Sequence, residues 1–102
     1  MAPKGPQVHM GRQGKHIPGH KNFILGRSEI IHPDPQALAD NYADKGTQVG
    51  KIPKGTPGSR ERVNFGDVIG NYVDPVTSQS TPTTKGIIHY GADGVHIVPA
   101  RP

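Results

Sequence analysis

The stretch Lys85-Gly86-Ile87-Ile88-His89-Tyr90-Gly91-Ala92-Asp93-Gly94-Val95-His96-Ile97-Val98-Pro99 decides the fold. Two runs rich in β-branched and aromatic residues, 84–90 and 95–99, flank a Gly-Ala-Asp-Gly turn, which is the signature of an antiparallel hairpin. A four-residue loop over 91–94 pairs Tyr90 with Val95 and sets His89 directly opposite His96. A two-residue Asp93-Gly94 turn pairs Ala92 with Val95 and makes the two histidines diagonal neighbours. Either loop leaves both imidazoles on one sheet face, roughly 5–8 Å apart. Ile88, Tyr90, Val95 and Ile97 then share the other face, the natural core side. An odd loop length would break this arrangement.

Working back from the hairpin, Val63 and Phe65 alternate with polar neighbours, and 68–73 forms another strand-like run in which Gly70 suggests a bulge. Residues 74–83 are rich in turn formers, and 46–60 read as a polar, mobile connector. One helix is expected over 35–45. Asp34 can cap it, Pro35 suits its first position, and Gly46 suits its stop. Residues 11–31 are a loop or an irregular helix, and residues 1–10 a flexible lead-in to a single domain over 11–102. The class is therefore α+β: an N-terminal irregular or helical segment and one helix, followed by a twisted antiparallel β-sheet of about four strands.

The chain has 102 residues, 31% of them hydrophobic and only five aromatic, so its core is thin. With no cysteine there is neither a disulfide scaffold nor a thiolate metal site, and the fold suits a reducing compartment. No apolar run approaches the length of a membrane-spanning helix, and the first residues lack the apolar core of a signal peptide. Phosphate-cradling GxxxxGK[ST] and GxGxxG loops and the G-x-S-x-G elbow are absent. So few aromatics make a weak stacking platform for single strands.

Charge is uneven. Residues 1–28 carry Lys4, Arg12, Lys15, Lys21 and Arg27 with no acid, a net +5, whereas the remainder is −1. Such a lobe suits a phosphate-rich partner; the plainer reading is a solvated basic segment. Imidazole titrates near neutrality and can move protons both ways, which metal-free RNA cleavage requires of its base and acid. Six histidines supply that chemistry. Lys15, Arg27 and Lys85 are candidate phosphate partners, and Ser28, Thr83 and Thr84 candidate neutral donors. DNA lacks the 2′-hydroxyl this route needs. His16 and His20 are four apart, but Pro18 and Gly19 oppose the helix that would turn both to one metal, and no metal site is expected.

Three ordered motifs, Arg12-Gln13-Gly14-Lys15-His16-Ile17-Pro18-Gly19-His20 with Gly26-Arg27-Ser28, then Glu61-Arg62-Val63-Asn64-Phe65-Gly66, then 82–90 with 95–100, resemble the polymorphic toxin type 50 domain. That family is regarded as similar to the barnase, EndoU, colicin and RelE group of metal-independent ribonucleases. The resemblance implies the C-terminal toxin domain of a contact-dependent or secreted bacterial protein, exported as part of a larger chain and acting in the target-cell cytoplasm. It implies an endoribonuclease that leaves a 2′,3′-cyclic phosphate, needs no cofactor, and is a monomer apart from its complex with a cognate immunity protein. A tRNA target suits the group, and nothing in the residues selects it over ribosomal or messenger RNA. Carried onto this sequence, the catalytic residues are His16, Lys15, Arg27, Thr84, His89 and His96, and the substrate-binding residues Ser28, Arg12, Gln13 and Lys85. Gly14 departs from the pattern, since a polar or charged residue is expected there. The competing expectations are a non-catalytic RNA- or protein-binding module working through the basic lobe, and a transferase using a nucleotide cofactor. The transferase would need a deep pocket that so small a core can hardly supply.

Overall fold

A computed structural model describes residues 5–102. The chain is α+β, with a helical N-terminal region followed by antiparallel strands in two sheets. One helical turn, α1 (Met10–Gln13), runs into a 3-10 turn over Gly14–His16. The strands are β1 (Glu29–Ile30), β2 (Thr47–Val49), β3 (Arg60–Asn64), β4 (Gly70–Val73), β5 (Ser80–Thr83), β6 (Lys85–Gly91) and β7 (Gly94–Pro99), with helix α2 (Pro35–Tyr42) between β1 and β2. One sheet has the order β1-β4-β5, the other β2-β3-β6-β7.

The hairpin β6–β7 takes the register in which Tyr90 pairs with Val95 and His89 with His96. Pairing runs one step further, to Gly91 and Gly94, so only Ala92 and Asp93 turn the chain. Ile88, Val95 and Ile97 are buried as the alternation requires, in a core shared with Ile30, Leu38, Val63, Phe65 and Ile69.

Several elements differ from the sequence reading. Helix α2 has the expected Asp34 cap, whose carboxylate accepts from the Ala37 amide, but it stops at Tyr42. Glu61 explains the early stop. This fully buried carboxylate accepts from the amides of Asp44 (3.0 Å) and Gly46 (2.6 Å) and from the Tyr90 hydroxyl (2.6 Å), drawing the chain out of the helix. The supposed connector 46–60 holds β2, and the turn-rich 74–83 holds β5. Gly70 marks no bulge: β4 pairs without a break to β1 and to β5. A Cβ there would collide with the Glu29 carbonyl oxygen, so the glycine permits a close crossing of β1.

Residues 1–4 of the expected lead-in lie outside the described residues; Gly5 and Pro6 bond to Asp40 and Gln36 of α2, and Gln7 to His9 pack along the free edge of β7. Val8 is buried and bridges Val95, the His9 amide donates to the Val95 carbonyl, and the Val95 amide donates to the Gln7 carbonyl. Gln13 continues the edge: its Nε2 donates to the Ile97 carbonyl (2.8 Å), and its Oε1 accepts from the Ile97 amide (2.7 Å). An exposed strand edge is thereby closed, and the turn after Gln13 is fixed beside β7.

Candidate active site

The face of the four-stranded sheet away from the core carries a row of side chains set by register. Arg60 on β3 pairs with His89 on β6, which pairs with His96 on β7. The two imidazoles are stacked, with centroids 4.7 Å apart and planes within 11°. His16, delivered by the 3-10 turn beyond the β7 edge, extends the row, its centroid 6.2 Å from His96 and again within 11° of parallel. Gln13 pins the turn that places it, so His16 depends on a contact between residues 84 positions apart.

His16 is buried, and its Nδ1 lies 2.9 Å from the Ser28 carbonyl oxygen. A carbonyl only accepts, so Nδ1 carries the proton and Nε2 of the neutral ring keeps its lone pair. Burial lowers the pKa of His16 despite that bond, and the charges of Arg27 and Lys15 lower it further. Burial also lowers His89, aided by Arg60 and His16. His96, between the other two, is pushed down to about 4 by burial, then by His89 and His16, with Arg12 and Lys15 adding to the effect. The three rings are therefore neutral at pH 7.

Two clefts meet at His89. One, about 450 Å³, is bordered by His16, Arg27, Arg62, Tyr72 and Arg101 over an apolar floor that includes Ile87 and Val98. The other, about 230 Å³, lies between Arg12, Arg60, His89 and His96. A larger hollow of about 930 Å³ lies near the end of α2 and the hairpin turn, where Asp40, Asp44 and Asp93 make it unsuited to phosphate.

Of the residues singled out in the sequence, His16, His89 and His96 come together, with Arg27 in the larger cleft. Lys15 is exposed next to His16, and its charge reaches both His16 and His96. Arg12 borders the smaller cleft while its Nη1 contacts Asp93 Oδ1 at 2.8 Å. Gln13 and Ser28 do other work. Gln13 is buried with both amide ends engaged on β7, and Ser28 is buried with its carbonyl on His16 and its hydroxyl accepting from the Val73 amide. Lys85 and Thr84 lie four and five residues from His89, roughly 13 and 16 Å along an extended strand, outside the cluster. Thr83 is buried, its hydroxyl donating to the Ala100 carbonyl. His9, His20 and His32 each accept a nearby backbone amide in a turn. Sequence reasoning missed Arg60, Arg62, Tyr72 and Arg101. The spacing Arg60-x-Arg62, out of phase with Val63 and Phe65, was the available signal for the first two.

The family Ntox50, described as bacterial toxin 50, matches residues 8–99. The chain belongs to it. No curated protein matches the chain. The match begins at Val8, which bridges Val95 of this Ntox50 domain's β7, and ends at Pro99, the last residue of that strand. Gly14, where a polar or charged residue is expected, has a steric reason to be glycine: the His20 imidazole packs over it, and a Cβ would fall inside that ring's contact distance. Among the described residues of the Ntox50 domain, no group of three or more His, Asp or Glu side chains could hold a metal ion. The stacked histidines face one another through their rings instead of converging on a point.

Proposed function

We propose that this bacterial toxin domain is a metal-independent endoribonuclease akin to the barnase, EndoU, colicin and RelE group. One observation carries the reading: three parallel, neutral imidazoles stand in a row where two arginine-lined clefts meet. A phosphodiester crossing the row would have cations on both sides and proton-transfer groups beneath it.

In-line displacement at phosphorus places the entering and leaving oxygens on opposite sides, so base and acid belong at opposite ends of the row. His16, whose Nδ1–H is held by the Ser28 carbonyl, presents the Nε2 lone pair and takes the proton from the 2′-hydroxyl. The 2′-oxygen bonds to phosphorus as the bond from phosphorus to the 5′-oxygen breaks. His89, drawn toward protonation by the bound phosphate's charge, gives its proton to that 5′-oxygen. His96 contacts the phosphate between them, while Lys15, Arg27 and Arg60 balance the negative charge. The products are a 2′,3′-cyclic phosphate and a 5′-hydroxyl. As a toxin of this kind the domain acts in the cytoplasm of a target cell after export within a larger protein, and a cognate immunity protein blocks it. The net charge of +4 favours an acidic partner.

Total bacterial RNA incubated with the purified domain in excess EDTA tests the reading. Discrete fragments absent with His16→Ala are expected. Intact RNA from a folded domain would instead favour a module that only binds through its basic surface.

A further inference from the structure

Tyr42 and Phe65 pack edge-on in the core, with centroids 5.1 Å apart, and the Tyr90 hydroxyl is turned to the buried Glu61. Tyr72 is placed otherwise. It sits on β4 and lines the larger cleft together with His16, His89, Ile87 and Val98. The Arg101 guanidinium lies over one face of the ring, 5.5 Å from its centroid, and its Nη2 donates to the Tyr72 hydroxyl at 3.1 Å, so a base would take the other face. Asp74, 3.6 Å from Arg101, helps hold that cation in place. The cleft thus joins a steadied aromatic plane, an apolar floor and a cationic rim to the imidazole row. A nucleobase needs the first two features, and the phosphates on either side of it need the third.

We infer that Tyr72 is a stacking subsite for one unpaired base next to the phosphate over the histidines, and that it makes the site select single-stranded over paired RNA. The inference rests on the ribonuclease reading and adds to it the form of the substrate. A base inside a duplex has both faces covered by its neighbours and cannot lie on the ring, whereas a base in a loop or an open strand can. One well-placed tyrosine therefore does what the scarcity of aromatics argued against. Arg27, Arg62 and Arg101 would bind backbone in either form, and the ring supplies the discrimination.

The test is a binding measurement that needs no turnover. A fluorescent, unstructured 2′-O-methyl RNA oligomer, which lacks the attacking hydroxyl, is titrated alone and annealed to its complement. The unmutated domain is expected to bind the single strand at least about tenfold more tightly. Tyr72→Ala should weaken single-strand binding by about ten- to a hundredfold and leave duplex binding within about twofold, erasing the preference. Tyr72→Trp, which keeps an aromatic plane, should retain it. Equal losses on both forms would show a merely structural tyrosine and overturn the subsite. So would a preference that survives Tyr72→Ala. A domain that binds neither form overturns the subsite together with the ribonuclease reading, whereas one that cleaves RNA with its single-strand preference intact in Tyr72→Ala overturns the subsite alone.

Discussion

His89 and His96 face each other across β6 and β7 with ring centroids 4.7 Å apart, and His16 continues the stack from a different part of the chain. Burial, and then the crowding of three imidazoles beside Lys15, Arg12, Arg27 and Arg60, disfavours a proton on any of them. The same crowding that prepares a base therefore makes the fold sensitive to acid.

Stability should fall as the pH drops. His96 has a folded-state pKa of about 4 against 6.5 unfolded, so between those values the unfolded chain binds more protons. The domain should be at full stability above about pH 6.5 and lose it progressively toward pH 4, by up to ~3 kcal/mol from His96 alone. His16 and His89 shift in the same direction and add to the loss. Urea midpoints measured from pH 7.5 to 4 check this, and His96→Gln should flatten the slope. A midpoint that stays constant over that range would refute the arrangement.

Gln13 should matter for stability although it borders neither cleft. Gln13→Ala leaves the Ile97 amide and carbonyl without their partners and opens space at the β7 edge, a loss of about 2–4 kcal/mol. In a domain of this size the melting temperature should fall by roughly 10 °C or more. A variant that melts like the unmutated domain would contradict the role assigned to it.

Gly14→Ala should be destabilising even though the backbone there is helical, because the new methyl meets the His20 ring. A cost of about 1–3 kcal/mol is expected, with much of it recovered in Gly14→Ala/His20→Ala. Thermal melts of the single and double variants measure the recovery. Equal melting temperatures for Gly14→Ala and the unmutated domain would remove the steric explanation.

Arg62 should act on RNA binding more than on chemistry. Arg62→Ala is expected to raise KM several-fold with kcat little changed, and to lower the slope of log affinity against log salt by about 1. Steady-state kinetics at several salt concentrations separate the two parameters. A loss confined to kcat would place this arginine on the reacting phosphate instead.

The sequence showed the hairpin and its histidine pair because alternation with period two is a local signal, and the two-residue Ala92-Asp93 turn supplies the even spacing on which that pairing depends. It showed the start of α2 for the same reason: Asp34 and Pro35 act on their own first turn. The end of α2 was hidden, since it depends on Glu61, seventeen residues beyond Asp44. β2 and β5 were missed because their sequences are short and polar, and only pairing makes them strands. Pro82 is tolerated in β5 because that strand lies at the sheet edge. Lys15, His16 and Arg27 were recognised by residue type and family motif, but the approach of His16 to His96 rests on the Gln13 contact with Ile97, which no local pattern records. Tyr72 and Arg101 meet only through tertiary packing.

The most direct test replaces one oxygen of the substrate. An RNA segment that the domain cuts is synthesised with a single 2′-deoxynucleotide on the 5′ side of the cut, and the products are read by mass spectrometry beside the all-ribose segment. The account predicts a 2′,3′-cyclic phosphate and a 5′-hydroxyl from the all-ribose RNA, no cut at the deoxy position, and a rate lower by about 10²–10⁴-fold with either His16→Ala or His89→Ala. Cleavage at the deoxy position, or fragments ending in a 3′-hydroxyl and a 5′-phosphate, would contradict it.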